Sequence, residues 1–184
     1  IFQKRVNLLV FGITPKSKVN RKGPTLLLGN PIRQSVLAVM PVDYSQLPSE
    51  SLSIMVMGGS QGANFVSSLA CNAIVELPEE MRRKITVFHQ CPQEYVAEIN
   101  SKYRAFNIKV EIKSFFTDIS FHLNKAHLII SRSGASSLAE FCIFGRPSIL
   151  IPLPSAVRDH QTLNATVMQE SGASVVFPQN SVTS

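Results

Sequence analysis

The sequence has no tryptophan, only 16% of its residues are charged, and no apolar run approaches the length of a membrane span. Scarce charge beside 45% hydrophobic residues excludes a disordered chain, so the 184 residues are expected to build a sizeable core. Val6–Val10 follows Lys4 and Arg5, yet it is too short for a signal peptide or a transmembrane helix. Cysteine is also sparse. Cys71, Cys91 and Cys142 are odd in number and lack metal-ligand spacing, which argues against both a disulfide framework and a thiolate metal site. They read as reduced, mostly buried thiols of a cytosolic protein. His89, His122, His127 and His160 are equally dispersed, so no metal is expected. Acidic residues are the minority, 12 against 18 lysines and arginines, for a net charge of +6. The excess reads either as a solvated surface or as a match to an anionic partner. Its positions are scattered, as in Lys16, Lys18, Arg21 and Lys22 and again in Arg82, Arg83 and Lys84. No aromatic residues interleave with them, so a small phosphate ligand fits better than a nucleic acid. The chain starts without methionine and stops in a polar stretch at Ser184, and both ends read as internal to a larger protein.

Residues 1–50 are irregular: a strand-like run at Val6–Ile13, a turn-rich Thr14–Pro24, a second apolar run at Thr25–Leu28, and a linker at Ser45–Ser51. From Leu52 onward the pattern becomes regular. Apolar runs of strand length stand at Ser53–Met57, Ile85–Phe88, Val110–Ile112, Leu128–Ser131, Ser148–Ile151 and Ser174–Phe177. Helical spacing fills the gaps, with Val66, Leu69, Ala70, Ala73, Ile74 and Leu77 in one stripe. Tyr95, Val96, Ile99, Tyr103 and Phe106 make a second, and Leu163, Val167 and Met168 a third. Unbroken apolar strands alternating with helices predict an α/β, Rossmann-like, doubly wound parallel sheet. Such a sheet binds ligands where its strands end, near the switch point.

Three segments at those ends, and a fourth upstream of the regular sheet, carry candidate chemistry. Gly58-Gly59-Ser60-Gln61-Gly62-Ala63 follows a strand and opens a helix, where free N–H groups favour an anion and Ser60 adds a hydroxyl. A tight turn without a ligand is the other reading. The spacing is not G-x-G-x-x-G, the next strand ends in His89-Gln90 without a ribose-holding acid, and no Gly-Lys-Ser/Thr follows. Dinucleotide and Walker A sites are therefore set aside. Ser131-Arg132-Ser133-Gly134-Ala135-Ser136-Ser137-Leu138-Ala139-Glu140 repeats the strand, glycine turn and helix, so a diphosphate can sit between two helix N-termini. Glu140 suits vicinal ribose hydroxyls, but Ser137-x-x-Glu140 also has the spacing of a capping box. Asp159-His160-Gln161 reads either as an ordinary helix start or as an N-cap followed by residues facing the cleft, Gln161 suiting sugar hydroxyls. Arg33, after Gly29-Asn30-Pro31-Ile32, is either a phosphate or base clamp or a surface ion pair.

Taken in order, Gly29–Arg33, Gly58–Ala63, Ser133–Glu140 and Asp159–Ala165, with Ile151-Pro152-Leu153-Pro154, resemble the C-terminal half of the MurG family. These GT-B-type transferases add N-acetylglucosamine to an undecaprenyl-pyrophosphoryl-muramoyl-pentapeptide in peptidoglycan synthesis. The resemblance covers nearly the whole chain. It implies residues 1–50 as the tail of an N-terminal domain with its linker, and 51–184 as a UDP-sugar-binding domain lacking the family's C-terminal helices. By motif, Arg33 and Ser60 would meet the nucleotide and phosphates, backbone groups of Phe116 would hold uracil whatever its side chain, and Glu140 would bind ribose. Ala135, Ser136, Ser137 and Leu138 would line phosphates and sugar, with Gln161 and neighbouring His160 at the N-acetylglucosamine. The family's Gly-Gly-His motif and candidate general base are not in this sequence. Partners implied are UDP-N-acetylglucosamine, the undecaprenyl-linked acceptor through the absent domain, and the inner membrane surface from the cytoplasmic side. No nucleic acid and no cofactor are expected. Two other readings stand beside this one: a separate soluble subunit of a two-part N-acetylglucosaminyltransferase, and a non-catalytic nucleotide-binding module.

Overall fold

The computed structural model describes residues 6–15, 23–58, 63–156 and 159–182. Ahead of the main sheet lie β1 (Leu9–Phe11), β2 (Thr25–Leu27) and the single-turn helix α1 (Gln34–Leu37). The regular part then runs β3 (Leu52–Met57), α2 (Ala63–Val75), α3 (Glu79–Arg82), β4 (Ile85–Gln90), α4 (Gln93–Ala105) and β5 (Lys109–Lys113). It continues with α5 (Ile119–Lys125), β6 (Leu128–Ser131), α6 (Ala135–Ile143), β7 (Ser148–Leu150), α7 (His160–Glu170) and β8 (Ser174–Val176). The six strands β3–β8 pair in parallel in the order β5-β4-β3-β6-β7-β8, as the doubly wound pattern predicts.

Side chains alternate across each strand, so an inner strand covered on both faces is apolar at most positions, whereas the outer strand β5 carries charge at every second residue. Ile54 and Val56 enter one core with Val66, Ala70 and Ile74 of α2 and Ile99 and Tyr103 of α4. Met55 and Ile129 enter the opposite core with Val36 of α1, Leu123 of α5, Leu138 and Phe141 of α6, and Met168 of α7. Burying each such side chain contributes about 1.5–3 kcal/mol, which holds the two helical layers on the sheet.

Three helices end in the same way. At α6, Gly145 (φ +60°) donates its N–H to Cys142 O while Arg146 N–H reaches back to Phe141 O. Gly172 (φ +76°) and Asn107 (φ +56°) do likewise after α7 and α4. A left-handed residue in this place lets the last carbonyls find donors before the chain turns into the next strand. The outer strands of the sheet are β5 and β8.

The residues before β3 are stitched onto this body. Arg146 is buried and donates Nε–H to Leu123 O (3.1 Å) and Nη2–H to Val42 O (2.8 Å) and Asn124 O (2.7 Å). His127 accepts from Ser53 N–H at Nδ1 and therefore carries its proton on Nε2, which donates to Pro48 O (3.0 Å). β1 and β2 form a separate parallel pair whose apolar side chains stay largely exposed, Leu27 by 56%.

Some expectations need correction. Leu163, assigned to a buried stripe, is 44% exposed, because α7 turns Asn164, Ala165 and Met168 inward instead. Cys142 is exposed, unlike Cys71 and Cys91. Leu77 lies past the end of α2, and Phe106 is the exposed C-cap of α4. Of the basic cluster after α2, Arg83 pairs with Glu79 on the surface, and Arg82 donates to Val75 O and lies 5.0 Å over the Phe106 ring.

Candidate functional site

β3 has β4 on one side and β6 on the other, so the chain reverses its direction of travel across the sheet between β3 and β6. The last residues of these strands, Met57 and Ser131, are register partners. The loops that follow therefore leave from adjacent points, one into α2 and one into α6, and a crevice opens where the strands turn in opposite directions. Ser60 and its neighbours 59–62 lie outside the described residues.

The second loop is well determined by its contacts. Gly134 is the N-cap of α6, in extended geometry (φ −66°, ψ 135°), and has no side chain to cap the helix. The first-turn N–H groups thus belong to Ala135, Ser136 and Ser137, with Ser136 exposed. This overturns the capping-box alternative: with Gly134 at the N-cap, Ser137 and Glu140 stand in the helix body. Leu138 is packed in the core, so what it offers to a ligand is backbone.

Glu140 has a different partner. Its side chain is 8% exposed, and both carboxylate oxygens accept from Arg33, Nε to Oε1 at 2.7 Å and Nη2 to Oε2 at 2.8 Å. The pairing raises the Arg33 pKa, chiefly through the hydrogen bond to Glu140. One turn of chain earlier, Asn30 Nδ2 donates to Ala135 O (3.2 Å). Segment 29–33 is thereby fixed along the start of α6. Of the two sequence readings of Arg33, the ion pair is the one formed, although its partner is nearly buried.

The third segment closes the far side. Asp159 is the residue before α7, but it adopts left-handed geometry (φ 54°, ψ 30°) and its side chain makes no capping bond. A short polar lattice ties α7 to the α6 loop: Ser133 Oγ donates to Gln161 O (2.8 Å) and Asn164 Nδ2 to Ser133 O (3.0 Å). Gln161 Oε1 accepts from Leu153 N–H (3.0 Å), fixing which end of its amide is engaged. His160 is exposed beside it.

Phe116 departs most from expectation. Its ring is 1% exposed, 4.4 Å from His122 between ring centres, and belongs to the second core. Its side chain therefore matters to the fold, while its N–H contacts Gln90 Oε1 at 3.4 Å. Sequence reasoning noted Gln90 only for not being an acid. Its position at the end of β4, next to the switch, was the available signal. Arg132, in the same loop as Ser133 and Gly134, is buried and donates to Ile151 O, Pro152 O and Gln179 Oε1, and burial lowers its pKa. Among the described residues no cluster of His, Cys, Asp or Glu has the arrangement of a metal site. No described helix is long and apolar enough to cross a membrane. A cavity of about 480 Å³ lies beside the site, lined by Gly12, Gly29, Asn30, Leu138, Cys142 and Asn164 among others. It sits behind the segment 29–33 and not at the strand ends.

Comparison with known proteins agrees with this layout. The family model of the glycosyltransferase family 28 C-terminal domain matches residues 53–184. A UDP-N-acetylglucosamine–N-acetylmuramyl-(pentapeptide) pyrophosphoryl-undecaprenol N-acetylglucosamine transferase of Caulobacter vibrioides is 40% identical over 173 residues, 94% of this chain and 48% of that enzyme. The transferase of the same description from Mesorhizobium japonicum is 35% identical over 179 residues, 97% of this chain and 48% of its own length. The crystal structure of Acinetobacter baumannii MurG superimposes with a TM-score of 0.74 at 25% identity, covering 97% of this chain and 48% of that one. The lipopolysaccharide glycosyltransferase WaaG shares the fold at a TM-score of 0.59 and 18% identity, over 85% of this chain and 44% of that one. The chain spans about half the length of the curated relatives it matches. With a six-stranded parallel sheet, a crevice at its switch point and a family match over most of its length, the chain belongs to glycosyltransferase family 28, as its C-terminal domain.

Proposed function

We propose that this domain binds UDP-N-acetylglucosamine for an inverting transfer to an undecaprenyl-linked muramoyl-pentapeptide acceptor, the lipid II-forming step of peptidoglycan synthesis. The observation that carries the reading is the adjacency of Met57 and Ser131, which brings the starts of α2 and α6 to one crevice. The diphosphate sits between these helix starts, where N–H groups and helix dipoles favour negative charge. Ser60 and the Ala135–Ser137 turn hold the phosphates, and the backbone of Phe116 holds uracil once Gln90 releases it. Glu140 accepts hydrogen bonds from the ribose. Gln161, with its oxygen engaged by Leu153, presents its NH₂ group to the sugar, with His160 alongside. Stabilising UDP as it departs is the share of catalysis this domain supplies. The group that deprotonates the acceptor lies in the portion of the relatives that this chain does not span. In that longer enzyme the reaction runs at the cytoplasmic face of the membrane.

Calorimetric titration of the purified chain tests the donor assignment. Binding of UDP-N-acetylglucosamine and UDP, with weaker binding of UDP-glucose and ADP, is the expected result. Heats that track only anionic charge and salt would refute it. Glu140→Ala should weaken UDP by about 1–3 kcal/mol through lost charge-assisted hydrogen bonds. An unchanged affinity with a lowered melting temperature would restrict Glu140 to a structural role. The chain alone should not turn over the lipid substrate.

A further inference from the structure

Glu140 is the most buried carboxylate among the described residues of the crevice, and its side-chain partner there comes from far away in the chain: Arg33, 107 residues earlier. The contact is a fork. Nε and Nη2 of one guanidinium address the two oxygens separately, at 2.7 and 2.8 Å. Such a fork fixes the plane and direction of a carboxylate as a single lysine ammonium cannot. Arg33 is itself held, because Asn30 in the same segment donates to Ala135 O at the start of α6. We infer that Arg33 is a positioning residue, which acts on the bound nucleotide by aiming Glu140 at the ribose hydroxyls and does not contact the diphosphate. The inference rests on the ribose role proposed above for Glu140.

Chemistry and geometry agree on this division of labour. An ionised carboxylate has about four acceptor positions, and the fork takes one on each oxygen. One position per oxygen remains, which suits two adjacent hydroxyls. The fork uses two of the five N–H groups of Arg33, and turning it onto a phosphate would mean leaving Glu140, whose side chain is only 8% exposed. A buried charge deprived of its partner is strongly unfavourable, whereas Arg33, at 53% exposed, loses little by staying. The anionic phosphates already have two helix starts to receive them. The raised Arg33 pKa reflects the same pairing. One consequence concerns specificity: the Arg33–Glu140 pair should make the site prefer ribonucleotides to deoxyribonucleotides.

The test titrates the wild-type chain, Arg33→Ala, Arg33→Lys, Glu140→Gln and the Arg33→Ala/Glu140→Gln double variant with UDP and 2′,3′-dideoxy-UDP, with thermal melts alongside. Arg33→Ala is expected to weaken UDP about tenfold, the size of one well-placed charge-assisted contact, and the dideoxy nucleotide by less than about twofold. In the Glu140→Gln background the same substitution should cost no more than about twofold, since residues that act as one unit are not additive. Arg33→Lys keeps the charge but loses the fork, so it should show the same ribose-dependent loss in part; this variant carries the test if the alanine variant melts early. Equal weakening of both nucleotides, or a full further loss in the Glu140→Gln background, would place Arg33 on the diphosphate and overturn the inference. Wild-type binding that ignores the ribose hydroxyls would overturn the role of Glu140 and this inference with it. Binding of neither nucleotide would remove the donor site as a whole.

Discussion

His89 gives the chain a pH dependence that can be worked out from its surroundings. The imidazole is fully buried on β4, with Nδ1 3.0 Å from the Tyr103 hydroxyl and Nε2 without a partner among the described residues. Burial alone brings its pKa down from 6.5 to about 4. Its neighbour Tyr103, and the Cys71 and Cys91 thiols near that phenol, are all pushed upward by burial, Cys91 to about 11, and so are neutral in acid. In the unfolded chain His89 takes up its proton near pH 6.5, while the folded chain resists until about pH 4. The unfolded state therefore binds more protons throughout that window, and stability falls as pH falls across it. Above pH 6.5 the residue contributes no slope. At about 1.4 kcal/mol per pH unit, the loss between pH 7.5 and 4.5 is about 2–3 kcal/mol. His89→Gln keeps a hydrogen-bonding partner for Tyr103 and removes the titration. Urea unfolding followed by circular dichroism at pH 7.5, 6, 5 and 4.5 would compare the two proteins, and contributions from surface carboxylates cancel in the difference. The wild-type curve should drop towards the variant's as the medium becomes acidic. Two parallel curves would show that His89 is either accessible to protons or balanced by a charge, and the reasoning would fail.

Other substitutions probe separate layers. Phe116→Ala should destabilise the chain by about 3–5 kcal/mol, because a fully buried ring is removed from between His122 and the second core. A melting temperature within a degree or two of wild type would return Phe116 to a purely backbone role. Gly145→Ala meets no neighbouring atoms, so its cost should be that of the left-handed backbone alone, about 1 kcal/mol in chemical denaturation. A loss of several kcal/mol would mean that the turn after α6 is constrained by something beyond φ.

How far the sequence revealed this molecule depended on whether the causes were local. The inner strands were legible because two-sided burial leaves little room for polar residues, and Leu128–Ser131 was found to the residue. α5 was not legible. Its buried face includes Ser120 and His122, so it offers no apolar stripe, and His122 is accommodated by Phe88, Phe116 and Phe121 around its ring and by Asp118 O (3.2 Å) and Glu111 Oε2 (3.5 Å) at its two nitrogens. At the site, the glycine loops were readable from composition and the strand that precedes each. The alternatives at Glu140 could not be separated, since the capping box and the ribose carboxylate share one spacing. What decides against the cap is the conformation of Gly134, and what holds the carboxylate is a residue from a distant segment. Asp159 fell in its anticipated place before α7, yet its left-handed backbone goes with a side chain that makes no cap.

The two outer strands are unequally guarded. Along β5, Lys109, Glu111 and Lys113 recur at every second residue, and Glu111 pairs with Lys113 at 2.6 Å. A foreign strand adding there would have to accommodate those charges. β8 has only three residues, Ser174, Val175 and Val176, with Val175 54% exposed and no charge among them. At high concentration, intermolecular strand addition is therefore directed to β8. Shortness is the principal protection on that side, and a lysine at position 175 would supply the missing deterrent without touching the crevice.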